Sequence, residues 1–246
     1  MMIGTSLRQA LSIRGKLLGT YIQYPAASVI EVLKLAGVDY VVLDLEHGQN
    51  SFHNIIEMVY ASEACGMIPV VRVPGLDEAI IGRVLDLGVS AIKIPGVHSG
   101  KDAKNAVAYC KYPPIGVRGG CPGVRGNRYG TDPDCWQRSN EDIMICCLVE
   151  SKDAVDNMED IISTPGIDVV NVGVGDLSRS LCISKDDSYI QEARIKCLSL
   201  CEKYHKYTFV GIEGAKMESP AARLINLARP EKILYQEYFK MCISTK

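Results

Sequence analysis

Residues 26–48 read AASVIEVLKLAGVDYVVLDLEHG, and this stretch decides the architecture. Apolar residues at 29, 30, 33 and 36 recur close to the 3.6-residue period of an amphipathic helix. Gly37 follows as a helix C-terminal cap. The run YVVLDL (40–45) is then apolar on both faces, as a parallel strand covered on both sides must be. It ends in a polar cluster, Asp44, Glu46 and His47.

Outward from this unit the pattern repeats. Short β-branched apolar runs predict strands at 17–23, 40–45, 68–73, 91–95, 143–149, 169–174, 209–212 and 232–235. A second helical stretch, 52–64, carries Ile55, Ile56, Val59 and Tyr60 on one face. Gly66, Gly88 and Gly166 repeat the cap of Gly37, and Ser51, Asp77, Ser99 and Ser151 stand where helix N-caps belong. Eight β/α units predict a (β/α)8 TIM barrel, one domain over residues 1–246. A doubly wound open sheet would place a G-x-G-x-x-G turn after the first strand, and none is there. Two insertions break the rhythm. One, around 176–190, follows the sixth strand. The other is the Gly/Arg-rich segment 113–142, which contains PPIGVRGGCPGVRGNRYG. Helix-to-strand loops are normally short, so the longer insertion has either a structural purpose or a basic one over an anion.

Composition narrows the classes. The chain has 246 residues, 47% hydrophobic and 23% charged, with formal net charge −2. That excludes a disordered chain, a collagen-like fibre and a coiled coil. No basic excess advertises nucleic acid, and one short Gly/Arg loop is a weak match to RNA-binding segments. The first residues lack the apolar core of a signal peptide, and no apolar run approaches a membrane span, so the expectation is a soluble cytoplasmic protein with no membrane partner. The ten cysteines contain no C-x-x-C pair and read as reduced, small hydrophobes.

Catalytic groups of a barrel come from the C-terminal ends of its strands. There the sequence places Asp44, Glu46 and His47 after strand 2, Arg72 after strand 3, Glu150 after strand 5, and Gly175 with Asp176 after strand 6. Each alone could be a helix cap or an ion-pair partner, whereas the set at one rim reads as a site. Glu150 and Asp176 are hard oxygen donors suited to Mg2+ or Mn2+ rather than Zn2+. Asp44 and Glu46 are placed to fix the His47 tautomer, and Arg72 offers a planar fork for a carboxylate or enolate oxygen. The Gly175 and Asp176 amides open a helix and suit an anion. His53 and His205 read as surface or packing residues, and His98 could line the mouth. Lys93, inside strand 4, is the candidate for a Schiff-base mechanism, with its facing left open.

These segments, VVLDLEHGQNS, PVVRVPG, KYPPIGVRGG, LVES and VGVGDLS, resemble in order the HpcH/HpaI aldolase family, from about residue 6 to about 215. The resemblance implies a TIM barrel and a carbon–carbon lyase, a class II aldolase. It would cleave 4-hydroxy-2-oxo acids to pyruvate and an aldehyde by a retro-aldol reaction through a metal-stabilised enolate. It implies Glu150 and Asp176 as ligands of a divalent ion (Mg2+, Mn2+ or Co2+), His47 as base with Asp44 as partner, and Arg72 on the keto oxygen. Gly175 and Asp176 fall in the carboxylate-binding turn. Asp86 matches an acidic residue contributed across a subunit contact, and a homo-oligomer, from dimer to hexamer, is implied with it. Two departures stand out: Leu148 replaces a usual Gln two residues before the metal Glu, and the tail ARPEKILYQEYFKMCISTK is shorter than the family's subunit-exchanging terminus. The other activities considered are a citrate- or malyl-type acyl thioester lyase, and a catalytically weakened barrel that binds 2-oxo acids.

Overall fold

The structure, a computed structural model, describes residues 5–244. The elements run α1 (Leu7–Arg14), β1 (Leu17–Ile22), α2 (Ala27–Leu35), β2 (Tyr40–Asp44), α3 (Phe52–Ala64), β3 (Ile68–Arg72), α4 (Glu78–Asp86), β4 (Ala91–Ile94) and α5 (Gly100–Cys110). They continue α6 (Cys135–Asp142), β5 (Met144–Val149), α7 (Lys152–Asp156), α8 (Met158–Ser163), β6 (Val169–Val172), α9 (Val174–Ser180), α10 (Ser188–Lys203), β7 (Thr208–Gly211), β8 (Ala222–Asn226) and α11 (Pro230–Ser244).

All strand pairs are parallel, in the order β6-β5-β4-β3-β2-β1-β8-β7. One bridge, Val169 to Tyr207, joins the two ends, so the barrel is nearly closed. The local signals act as the sequence predicts. Ser51, Asp77, Ser99 and Ser151 each accept a backbone N–H at the start of a helix. Gly37, Gly66, Gly88 and Gly166 all take positive φ.

Side-chain alternation divides the core in two. Outward residues such as Val41, Leu43, Val71, Ile92 and Cys147 pack under the helices. Inward residues such as Tyr40, Val42, Val70, Met144, Cys146 and Leu224 fill the barrel, and Leu7, Ala10 and Leu11 of α1 plug its N-terminal end. The adjacent Cys146 and Cys147 therefore serve opposite faces, and all ten cysteines are free. No helix among the described residues is long and apolar enough to cross a membrane.

One strand lies elsewhere than the sequence predicts. Residues 232–235 belong to α11, not to a strand; the eighth strand is Ala222–Asn226. A run of three apolar residues, Ile233–Tyr235, does not separate helix from strand. Pro230 opens the helix, a position its fixed φ suits. The true strand is hidden by Arg223, which points away from the barrel interior and donates to the Pro220 carbonyl.

The segment 113–142 is structural within this chain. It holds α6 and a short 3-10 turn, Arg125–Gly130. As a connection between α5 and β5 it sits at the N-terminal end of the barrel. There Arg118 pairs with Asp86, and Arg125 pairs with Glu63 and donates to the Leu87 carbonyl.

Candidate active site

Strand ends bring the polar residues to one rim. Asp44 closes β2 and is fully buried. It accepts Nε and Nη2 of Arg72 at 2.8 and 2.5 Å, Nε2 of Gln23 at 2.8 Å, and the amides of Glu46 and His47 at 3.1 and 3.2 Å. Burial alone would raise the Asp44 pKa, but the hydrogen bonds and charge of Arg72, helped by Gln23, hold it below the usual carboxylate value. The opposite holds for Glu46. Burial pushes its carboxyl up, Arg72 pulls against it from 2.8 Å, and Glu150 and Asp44 add like charge. Arg72 is itself buried. Desolvation disfavours its charge, and the Asp44 carboxylate more than restores it.

This pairing corrects the expected role of Asp44. It grips Arg72 and the His47 backbone, not the His47 ring. The carboxylate nearest that ring is Glu46, whose Oε2 lies 3.8 Å from Nε2, beyond hydrogen-bond range. The His47 side chain is 51% exposed.

Glu150 follows β5. Its Oε1 accepts the Gly96 amide at 2.9 Å, while Oε2 is buried without a hydrogen-bond partner. Gly173 makes this placement possible: a Cβ there would stand 2.9 Å from Glu150 Cβ and 3.0 Å from Oε2. Asp176 lies in the first turn of α9 and pairs with Arg179 at 2.7 Å.

A cavity of about 380 Å³ gathers these groups. Arg72, Glu150, Gly175 and Asp176 line it together with Tyr21 and Leu148. Asp44 stands behind Arg72, and His47 lies outside the lining. Asp86 is not brought to the rim: it ends α4 at the other end of the barrel, bonded to Arg118 at 2.7 Å. His98 is also outside the lining and bonds Ser151 Oγ at 2.8 Å. Lys93 faces inward, fully buried, and its Nζ donates to the Tyr21 hydroxyl at 2.5 Å. Among the described residues no three His, Cys, Asp or Glu side chains form a metal cluster.

Sequence reasoning missed Tyr21 and Gln23. The signal was available: positions 17, 19, 21 and 23 share one face of strand 1, so Tyr21 and Gln23 had to point inward near the rim.

A family model described as HpcH/HpaI aldolase/citrate lyase matches residues 17–207. The chain is 43% identical over 151 residues to the 5-keto-4-deoxy-D-glucarate aldolase of Klebsiella pneumoniae subsp. pneumoniae, covering 61% of this chain and 59% of that enzyme. It is 36% identical over 165 residues to the 2-dehydro-3,6-dideoxy-6-sulfogluconate aldolase of Pseudomonas putida, covering 67% and 64%. The matched stretch thus spans less than two thirds of either relative. A crystal structure of an HpcH/HpaI aldolase/citrate lyase family protein from Burkholderia cenocepacia J2315 superposes with a TM-score of 0.89 at 26% identity, covering 97% of this chain and 98% of that one.

Proposed function

We propose, since this chain belongs to the HpcH/HpaI aldolase/citrate lyase family, that it is a carbon–carbon lyase cleaving 4-hydroxy-2-oxo acids to pyruvate and an aldehyde. Both curated relatives are named for deoxy keto sugar acids, and the proposal takes that substrate class. The observation that carries it is the unpartnered Oε2 of Glu150, in a cavity shared with Asp176 and Arg72.

A buried carboxylate oxygen without a donor is costly unless a cation answers it. Glu150 and Asp176 supply two hard oxygen sites and leave the remaining positions to water and substrate oxygens, a donor set that fits Mg2+ or Mn2+. When bound, such an ion supplies Lewis-acid polarisation of the keto group.

The chain's own residues supply the rest. Arg72, locked by Asp44, keeps N–H groups free for the keto oxygen as it gains charge. The amides of Gly175 and Asp176, in the first turn of α9, lack intrahelical acceptors and receive the substrate carboxylate. His47, held at the rim through its backbone, takes the 4-hydroxyl proton directly or through water. The bond between carbons 3 and 4 then breaks, leaving the pyruvate enolate and the aldehyde.

A homo-oligomer, dimer to hexamer, belongs to the proposal. Helix α11 buries no residue and exposes Ile233, Leu234, Tyr235, Tyr238 and Phe239, apolar side chains that a second copy would cover. Asp86 joins a site only if a neighbouring subunit brings it. A cytoplasmic location fits ten free cysteines. The basic loop that hinted at a coenzyme groove for the thioester-lyase reading lies at the other end of the barrel, which favours the aldolase reading over it.

The test is pyruvate release from a 4-hydroxy-2-oxo acid. Chelator treatment should abolish it, Mg2+ or Mn2+ should restore it, and borohydride with pyruvate should trap no adduct. Metal-independent turnover, or a covalent adduct on Lys93, overturns the reading.

A further inference from the structure

A buried lysine sits beneath the mouth, and among the described residues no carboxylate pairs with it. Lys93 pairs across the sheet with Arg72 on β3 and Cys146 on β5. Its Nζ lies 4.0 Å from the Phe209 ring centroid and 5.1 Å from that of Tyr21. Among the described residues it makes no ion pair. Burying an uncompensated charge is expensive, and a methionine would fill the same space without that cost. None of the reaction steps above uses this group.

An ammonium only donates hydrogen bonds. In the contact with Lys93 the Tyr21 oxygen must therefore accept, and the phenol's own proton must point elsewhere. Among the described residues that proton has no acceptor. Tyr21 lines the mouth cavity with Arg72 and Glu150. The Arg72 guanidinium lies 5.3 Å from the Tyr21 ring centroid, so the phenol is bracketed by two cations. Such surroundings favour an acceptor that carries or gains negative charge. On β5 the side chain facing the same cavity is Leu148, which has no donor.

We propose that Lys93 and Tyr21 act as one unit. Lys93 is a positioning residue that turns the Tyr21 proton into the mouth. Tyr21 donates that proton's hydrogen bond to the keto-acid oxygen that gains charge as the carbon–carbon bond breaks. The pair thus supplies from β4 and β1 the donor that Leu148 denies to β5. This inference rests on the aldolase reading above.

The experiment compares wild type, Tyr21→Phe, Lys93→Met and the double variant, each loaded with Mn2+. It measures kcat, KM, pyruvate affinity by calorimetry, and melting temperature. Tyr21→Phe should lower kcat roughly 100-fold with little change in KM, as expected for a lost oxyanion donor. Lys93→Met should slow the enzyme comparably yet melt at or above wild type, because an unpaired buried charge has gone. The double variant should be no slower than the slower single, as for residues acting together. Wild-type kcat and pyruvate affinity in Tyr21→Phe would overturn the pair, as would a double variant that falls by the product of the singles. A Lys93→Met protein that melts lower with unchanged kcat would mark Lys93 as structural and overturn the pair as well. Should that variant not fold, Tyr21→Phe decides alone. Wild type that binds pyruvate without cleaving any oxo acid defeats the aldolase reading, while weaker pyruvate binding by Tyr21→Phe would still support the pair.

Discussion

The two ends of the barrel are built from the same residue types and settle them differently. At the N-terminal end the carboxylates are matched: Asp86 by Arg118, Glu63 by Arg125, Asp132 by Arg128 and Arg138. Asp168 there ties α1 to the barrel, accepting Arg8 at 2.7 Å and the Ile145 amide at 2.9 Å. The buried polar atoms left over are the Nε of Arg8, Arg118 and Arg128, on guanidiniums already neutralised. At the mouth Asp44 has donors on every side, yet among the described residues Glu150 keeps a buried oxygen without one, and the Tyr21 hydroxyl accepts from Lys93. A completed polar inventory marks the end that stabilises the barrel. An incomplete one, concentrated around a cavity, marks the end that waits for a ligand.

Three variants put this contrast at risk. The largest effect belongs to Glu150→Ala: kcat for pyruvate release should fall roughly 1000-fold or more, with the melting temperature at or above wild type. Near-normal turnover would make the open oxygen incidental. At the opposite end, Asp168→Ala should cost about 1–3 kcal/mol of stability in denaturant titration and leave kcat untouched, since a hydrogen-bonded and partly buried ion pair is lost. A fall in kcat at unchanged stability would merge the two ends.

The smallest effect separates two carboxylates at the mouth. Glu46 has a folded pKa raised above its ordinary 4.5, so its ionised form costs stability as pH rises through the folded value. Glu46→Gln should therefore be more stable than wild type at neutral pH, an advantage that fades below about 4.5. Asp44, whose pKa is lowered, has the opposite sign: its contribution is present above 3.8 and is lost as pH falls through the folded value. Equal pH dependence in Glu46→Gln and wild type would contradict the desolvation of Glu46.

How far the site could be read in advance depended on the range of the interactions. Helix caps and strand cores are set by neighbours in the chain, so Ser51, Asp77 and the glycine caps were legible. The eighth strand was not, because Arg223 masked Ala222–Asn226 while three apolar residues in α11, Ile233–Tyr235, imitated a strand. The rim residues Arg72, Glu150, Gly175 and Asp176 followed from their places at strand ends. Their partners did not follow: sequence proximity suggested Asp44 for the His47 ring, but Arg72 on the next strand reaches Asp44 first. Tyr21 and Lys93 lie 72 positions apart and meet only across the barrel interior.

Seven of the eight staves, their punctuation and the set of polar residues at strand ends were written in the chain, because periodicity and capping act over a few residues. Which of those residues meet was settled by the assembled barrel. Parallel register puts Asp44 beside Arg72, the curvature of the sheet brings Lys93 under Tyr21, and helix direction carries Asp86 to the opposite end. Such pairings depend on register and closure, which involve every strand at once and leave no local trace in the chain.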